Sequence, residues 1–291
     1  MSGLANISLI VVNYNSANVI ENCLTPIAEE IKVIVIDNAS TDDSVKKIRH
    51  IRPDAEIILN KKNVGMGIAA NQAFSKVKTK YALLLNPDAT LPSPAIQELY
   101  KTAEASGGNA GIVAPLLYSP KRGLELELQG PNERVQTRTS IVPEGNFCTW
   151  FATGAAYLCD MTIWNEVGGF DENIFLYGED NDLCCRMIEK GYLIIFASNA
   201  QGTHLVSKAT TSTFRIRWRK EWNIVWSHLY LVKKYENLEA AQFRAKRLLI
   251  KHAPKVLFYA ILFQPKRFMR DLAIFHAALC FIMSAPPKRS Y

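Results

Sequence analysis

Apolar residues arrive in short blocks, each closed by a polar cluster, and this repeat organises the first two hundred residues. Ile7–Val12 reads as a strand buried on both faces and ended by Asn13-Tyr14-Asn15-Ser16. Ser16 or Asn18 can cap a helix running to about Glu30. Lys32–Ile36 is a second strand, closed by Asp37-Asn38-Ala39-Ser40-Thr41-Asp42-Asp43, with a helix to about His50 behind it. Glu56–Leu59 is a third. Asn60, Asn63 and Gly65-Met66-Gly67 then lead into a helix over 68–78. Tyr81–Leu85 carries no charge, and Pro87, which has no N–H for a ladder, ends that strand before Asp88.

Beyond it the pattern predicts a helix over 92–106, a strand over 112–117 and a long irregular loop over 119–145, of the length that lids and acceptor contacts use. A strand over 150–159 with Gly154 inside it follows, then a short helix over 160–167 stopped by Gly168-Gly169. A helix opens at Glu179-Asp180-Asn181-Asp182. A last strand spans 192–197, with His204 in a polar loop beyond it and Lys208 and Thr210–Thr213 further on. Strands alternating with helices, without internal repeat, predict an α/β fold: a mostly parallel sheet between two helical layers.

In such sheets ligands bind outside the carboxyl ends of the strands. The polar closures therefore fall on one rim: Asn13 and Tyr14, Asp37, Asn63 with Gly65, and Asn86 with Asp88. Asp37 could accept from a pyrimidine N3–H or a ribose hydroxyl, Tyr14 could pack on a base, and Gly65 and Gly67 would let backbone approach a ligand. Asp88 suits a divalent cation that holds a diphosphate. Taken singly, each of these residues is equally at home as a turn or helix cap, and Asp42 and Asp43 read as caps outright.

Glu179, Asp180 and Asp182 crowd the first turn of one helix. Carboxylates are favoured there by the free N–H groups. Three like charges beside Phe175 and Tyr177 would also raise one carboxyl's proton affinity, as general-base work requires. His204 is a candidate for metal or phosphate contact.

Charge changes the picture at the C-terminal end. From Phe214 onward there are 16 Lys and Arg against 4 Asp and Glu, whereas the first 213 residues hold 18 against 23. Residues 1–213 thus form one expected domain and 214–291 a basic helical extension. Its short apolar runs, such as Val256–Phe263 and Leu272–Met283, fall below the ~20 residues of a spanning helix. Aromatic, basic and short apolar segments together suit a peripheral anchor on a membrane surface; a helical subdomain with a solvated basic face is the plainer alternative. The six cysteines form no CxxC pair and read as reduced, buried thiols of a cytoplasmic protein. Ile7–Val12 is too short, and lacks the basic flank, for a secretory signal. The body offers no nucleic-acid-binding motif for the basic tail to serve.

The motifs over residues 5–213 resemble family 2 glycosyltransferases of the GT-A fold, more narrowly the rhamnosyltransferase-like group of bacterial cell-surface polysaccharide (O-antigen) synthesis. The residues that carry the likeness are Val11-Val-Asn-Tyr-Asn15, Ile36-Asp-Asn-Ala-Ser-Thr-Asp42, Asn63-Val-Gly-Met-Gly-Ile-Ala-Ala-Asn71 and Asn86-Pro-Asp88. The most specific run is Val167-Gly-Gly-Phe-Asp-Glu172 through Phe175-Leu-Tyr-Gly-Glu-Asp-Asn-Asp-Leu183. The resemblance implies inverting transfer from a nucleotide-diphosphate sugar, for which dTDP-rhamnose is the expected donor and a polyprenyl-diphosphate-linked glycan the expected acceptor. It also implies nucleotide contacts at Asn13, Tyr14, Asp37, Asn63, Gly65, Asn71 and Asn86, and Mg²⁺ or Mn²⁺ held by Asp88 with His204. Asp180 would be the general base, supported by Glu179. Two departures stand out: Asn86-Pro-Asp88 replaces the usual Asp-x-Asp, and Leu205-Val-Ser-Lys208 replaces a small-residue pattern after the histidine. A catalytically silent sugar-nucleotide or lipid-binding subunit is the alternative from another class.

Overall fold

The structure, a computed structural model, describes residues 3–121, 123–126, 143–205 and 214–287. Residues 127–142 of the expected lid loop, and Lys208 with Thr210–Thr213, lie outside the described residues. The chain divides into two compact units, Met1–Asp171 with Asp180–Thr210, and Glu172–Glu179 with Thr211–Tyr291.

In the first unit the elements are β1 (Ile7–Asn13), α1 (Ile20–Leu24), β2 (Lys32–Asp37), α2 (Ser44–Ile51), β3 (Glu56–Leu59), α3 (Met66–Phe74), β4 (Tyr81–Leu85), β5 (Ala89–Thr90) and α4 (Ser93–Ala105). Then come β6 (Ala110–Ser119), β7 (Gly123–Leu124), β8 (Phe147–Thr149), β9 (Ala156–Asp160), α5 (Met161–Val167), α6 (Glu179–Glu189, its first residue in the second unit) and β10 (Leu193–His204). Among the described residues the strands form one sheet in the order β3-β2-β1-β4-β9-β6-β10-β5, with β7 beside β6 and β8 beside β10.

Strands β3, β2, β1 and β4 run parallel, as the alternation with helices requires. Period-2 alternation sends their side chains to two cores. Leu9, Val11, Val33, Val35, Leu83 and Leu85 meet α1, α2 and α4 on one face. Ile10, Val12, Ile34, Ile36, Ala82 and Leu84 meet α3, α5 and α6 on the other. The result is the expected three-layer α/β architecture.

Several elements depart from expectation. The first helix spans only Ile20–Leu24, and no side chain caps it. Asp43 at the head of α2 makes no capping bond; Asp42 takes the Ser44 and Ala17 N–H groups instead. The strand expected across 150–159 begins only at Ala156, and β9 runs antiparallel between β4 and β6. Gly154 therefore lies in the connection before β9, not inside a strand. The last strand extends to His204, with a register shift between Ala197 and Gln201. That shift hides its continuation, because Ser198, Asn199 and Gln201 interrupt the apolar run. His204 is thus the end of a strand, not a loop residue. Cys23, Cys159 and Cys184 are buried as expected, Cys185 and Cys280 are half-buried, and Cys148 is exposed.

The second unit holds α7 (Phe214–Tyr235), α8 (Leu238–Ile261) and α9 (Pro265–Ile282). Trp222, Trp226, Leu229 and Val232 of α7 fill the space left by small residues of the other two helices, Ala241, Ala245, Ala273, Ala277 and Ala278. The Trp222 indole N–H donates to His276. His252 and Asp271, both buried, join α8 to α9 at 2.6 Å. The segment before α6 belongs here too: Ser227 donates to the Leu176 carbonyl, and Lys220 stands over the Tyr177 ring.

Candidate active site

The rim begins where β1 and β2 end together. Asn13 pairs with Asp37 in the ladder, and the side chains meet as well: the Asn13 amide donates to Asp37 Oδ1 at 2.7 Å. The Ser40 N–H donates to Asp37 Oδ2 at 3.0 Å. The Ser16 hydroxyl donates to the Asn13 side-chain oxygen Oδ1. Asp37 is thereby fixed, nearly buried, with its charge met by donors from the chain around it. Asn38 extends the network. Its amide nitrogen donates to Asn63 Oδ1 and to the Gly65 carbonyl, and its oxygen accepts from Val64 N–H. Gly65 has φ 95°, a left-handed conformation that suits glycine, and it turns the chain into α3. Tyr14 follows β1 half-buried.

A second group forms where β4 stops. Ile10 faces Leu84 across the β1–β4 ladder, so Asn13 and Pro87, each three residues on, end at the same level. Asp88 follows, and β10 arrives beside it: His204 pairs with Ala89, and Leu205 N–H donates to the Asp88 carbonyl. Gly202 allows this approach, since a Cβ there would sit 2.7 Å from the Thr90 carbonyl. His204 Nε2 lies 3.4 Å from Asp88 Oδ1, and its Nδ1 lies 2.7 Å from Glu125 Oε2. Burial opposes charge on this imidazole, but the bonds to Asp88 and Glu125 override it and raise its pKa to about 9.

Asp180 completes this group. The Gly154 N–H donates to its Oδ2 at 2.9 Å, and the next residue, Ala155, accepts from the Asn86 N–H at 2.8 Å. The Asp180 carboxyl is therefore one residue of backbone away from the end of β4. Burial raises its pKa to about 6, against the bonds from Gly154 and the Tyr157 hydroxyl, which lower it. Like-charge crowding, the expected cause, is relieved: Asp182 is fully buried and ion-paired to Arg186 at 2.7 Å, and Arg186 also holds the Val167 and Gly169 carbonyls.

The structure thus joins Asn13, Asp37, Asn63 and Gly65 in one hydrogen-bonded network, sets Asp88 beside His204, and ties Asp180 through the Gly154-Ala155 backbone to Asn86. Asn71 stands apart as a brace, its amide bonded both ways to the Phe170 backbone. Glu179 is buried and belongs to the second unit. Sequence reasoning missed Glu125 and Tyr157. Glu125 sits in an aperiodic stretch with no pattern tying it to His204; Tyr157 is one aromatic in an apolar run.

Gly154 is needed beside Asp180 for a steric reason, because an added Cβ would lie 2.3 Å from Asp180 Oδ1 and 2.9 Å from its Cγ. Gly154→Ala is expected to displace that carboxyl and so lower about 10²-fold the kcat of any reaction that depends on it. Steady-state kinetics checks this, and a near-wild-type kcat would contradict it.

Helices on both faces of a mixed sheet whose parallel strands end in polar clusters are the architecture of a GT-A nucleotide-sugar glycosyltransferase. Known proteins agree. The profile described as "Glycosyl transferase family 2" matches residues 8–155, and that of "Glycosyl transferase family group 2" matches 132–285. The chain belongs to glycosyl transferase family 2. It is 22% identical over 237 residues to the N-acetylglucosaminyl-diphospho-decaprenol L-rhamnosyltransferase of Mycobacterium tuberculosis, covering 69% of this chain and 76% of that protein. It is 24% identical over 194 residues to the low-salt glycan biosynthesis hexosyltransferase Agl10 of Haloferax volcanii, 63% of this chain and 62% of the other. In fold it resembles the mannosyltransferase PcManGT of Pyrobaculum calidifontis, solved with GDP-Man and Mn²⁺, at TM-score 0.57, 16% identity and 96% and 87% coverage. It also resembles residues 1–349 of S. aureus TarS, at TM-score 0.55, 13% identity and 96% and 91% coverage.

Proposed function

We propose that this chain is an inverting, metal-dependent hexosyltransferase of cell-surface polysaccharide synthesis, moving L-rhamnose from dTDP-rhamnose to a polyprenyl-diphosphate-linked glycan. The observation that carries the reading is the Asp180 carboxyl bonded to Gly154, one residue from the backbone bond that ends β4. A base there and a diphosphate at Asp88 would face one reacting carbon between them. The lipid-linked acceptor is argued from the rhamnosyltransferase relative, whose name specifies such an acceptor.

Asp37 would accept from the base or ribose, with Tyr14 against the base, and Asn13 and Asn63 holding that wall. Asn86 and Gly65 would line the path of the phosphates, and Asn71 would keep α3 in place. The Asp180 carboxylate takes the proton of the acceptor hydroxyl as the oxygen bonds to the anomeric carbon. The bond from that carbon to the diphosphate breaks in the same displacement, and its electron pair leaves with the diphosphate. Glu179, adjacent in the chain, would support the base.

Among the described residues no cluster of three or more side chains forms a ready metal cage. The donor set nevertheless fits a hard cation completed by phosphate oxygens. Asp88 oxygen and His204 Nε2 face each other, and Glu125 orients the ring from Nδ1, the arrangement seen behind metal-bound histidines. Bound there once Nε2 has lost its proton, Mg²⁺ or Mn²⁺ would neutralise the departing diphosphate. We assign 1–213 to the transferase domain and 214–291 to a basic helical extension that keeps a cytoplasmic enzyme on the inner face of the membrane.

A panel of nucleotide sugars with Mn²⁺ tests the reading: dTDP-rhamnose should release nucleoside diphosphate, slowly alone and faster with acceptor. Binding without release from any donor would favour the silent-subunit alternative. A second expectation concerns pH. With Mn²⁺ saturating, so that the His204 ring is held deprotonated, the pH dependence is that of the base, and kcat/KM should fall about tenfold per pH unit below a pKa near 6 and level off above it. A profile flat down to pH 4.5 would contradict the role of Asp180.

A further inference from the structure

The outer side of α8 is apolar where a helix facing water should be polar. Phe243, Ile250, Leu257 and Ile261 recur at intervals of seven, seven and four residues, so they share one face. All four are exposed, Ile250 at 76% and Ile261 at 75%. The stripe runs about 27 Å at 1.5 Å per residue. It continues into the turn before α9, where Phe258 and Leu262 are exposed and Phe263 is 91% so. Phe263 has φ 50°, a left-handed conformation costly for a bulky residue, which holds its exposed aromatic ring out at the turn.

Charge says what would cover this face. Between Glu239 and Asp271 the sequence has eight Lys and Arg and no acid. Lys246, Arg247 and Lys251 flank the stripe, and Lys266, Arg267 and Arg270 follow the turn, all exposed. Arg247 stands 5.9 Å over the Phe243 ring and Arg267 5.6 Å over the Tyr259 ring, so these cations lie along the aromatic surface. Two copies meeting through this face would set like charges together. Phosphate headgroups above acyl chains match both features at once. Among the described residues no helix is long and apolar enough to cross a membrane, so the contact is in the plane of the surface.

We propose that the outer face of α8 and the α8–α9 turn are the surface by which this chain lies on an anionic lipid bilayer, the helix parallel to the membrane and Phe263 inserted. The proposal rests on the lipid-linked acceptor read above, and it names the element that would bring the enzyme to that acceptor. The cations' aliphatic stems would extend along the acyl boundary with their heads among the phosphates.

Co-sedimentation of the full chain with phosphatidylglycerol–phosphatidylethanolamine vesicles and with phosphatidylcholine vesicles tests it. The anionic vesicles should bind at least tenfold more tightly, and high salt should weaken them. Ile250→Gln/Leu257→Gln/Ile261→Gln, and separately Lys246→Glu/Arg247→Glu/Lys251→Glu, should each reduce binding at least tenfold. Helical circular dichroism and lipid-free donor hydrolysis should stay unchanged. Wild-type affinity in both variants, or no preference for anionic vesicles, would overturn the proposal. So would a dimer in solution that the same substitutions dissociate, since a second copy would then be the occupant. Absence of donor hydrolysis from the wild type would instead count against the transferase reading, whatever the vesicles show.

Discussion

Asp180→Asn should reduce transfer by 10³-fold or more while leaving nucleotide affinity and the fold intact. General-base catalysis by a positioned side chain contributes typically ~10²–10⁴. The amide keeps the shape of the carboxyl, and its oxygen can still accept from the Gly154 N–H. What it loses is the capacity to take a proton. Stability should move the other way. Burial holds the Asp180 pKa well above its ordinary value, so the ionised form at neutral pH is carried at a cost that the neutral amide avoids. The variant should therefore melt at the same temperature as the wild type or higher. Kinetics with donor and acceptor, nucleotide titration and a melting curve together separate this outcome from simple unfolding. Turnover near wild type would remove Asp180 from the mechanism.

The second large effect is expected at Asp88. Asp88→Ala should lower transfer at least 10²-fold and abolish the extra thermal stabilisation that Mn²⁺ gives in the presence of nucleoside diphosphate. It removes the one carboxylate that Asn86-Pro87-Asp88 offers, and it leaves His204 with Glu125 alone. The nucleoside without phosphates should bind as before, because Asp37 and its donors are anchored separately through Asn13 and Ser40. Equal loss of nucleoside and nucleoside diphosphate binding would mean that Asp88 supports the fold of the rim, not the phosphates.

The sequence made the parallel half of the sheet readable because each strand is an uncharged block with a hard stop. Pro87 removes a ladder donor, and Asn13 and Asp37 turn polar at paired positions. The antiparallel half was harder. Nothing in an apolar run such as Ala156–Asp160 encodes its direction, which is set by the partners it finds in β4 and β6. His204 was recognisable as a candidate, but its strand was hidden by the polar residues at the register shift. The acids of α6 were visible as a cluster, yet their meaning was not. Asp182 is neutralised by Arg186 four residues on, and the proton affinity of Asp180 comes from burial, which follows from packing against Gly154 twenty-six residues earlier. Glu125 could be found only in three dimensions, because it reaches His204 across seventy-nine residues.

In the proposed function Asp37, Asp88 and Asp180 serve a single bound nucleotide sugar. A crystal structure of the full chain with Mn²⁺ and dTDP or its unreactive sugar analogue tests it most directly. The pyrimidine should lie at Asp37, the diphosphate oxygens and cation at Asp88 and His204, and the anomeric carbon should open toward the Asp180 carboxyl. A nucleotide bound away from Asp88, or an anomeric carbon turned away from Asp180, would contradict it.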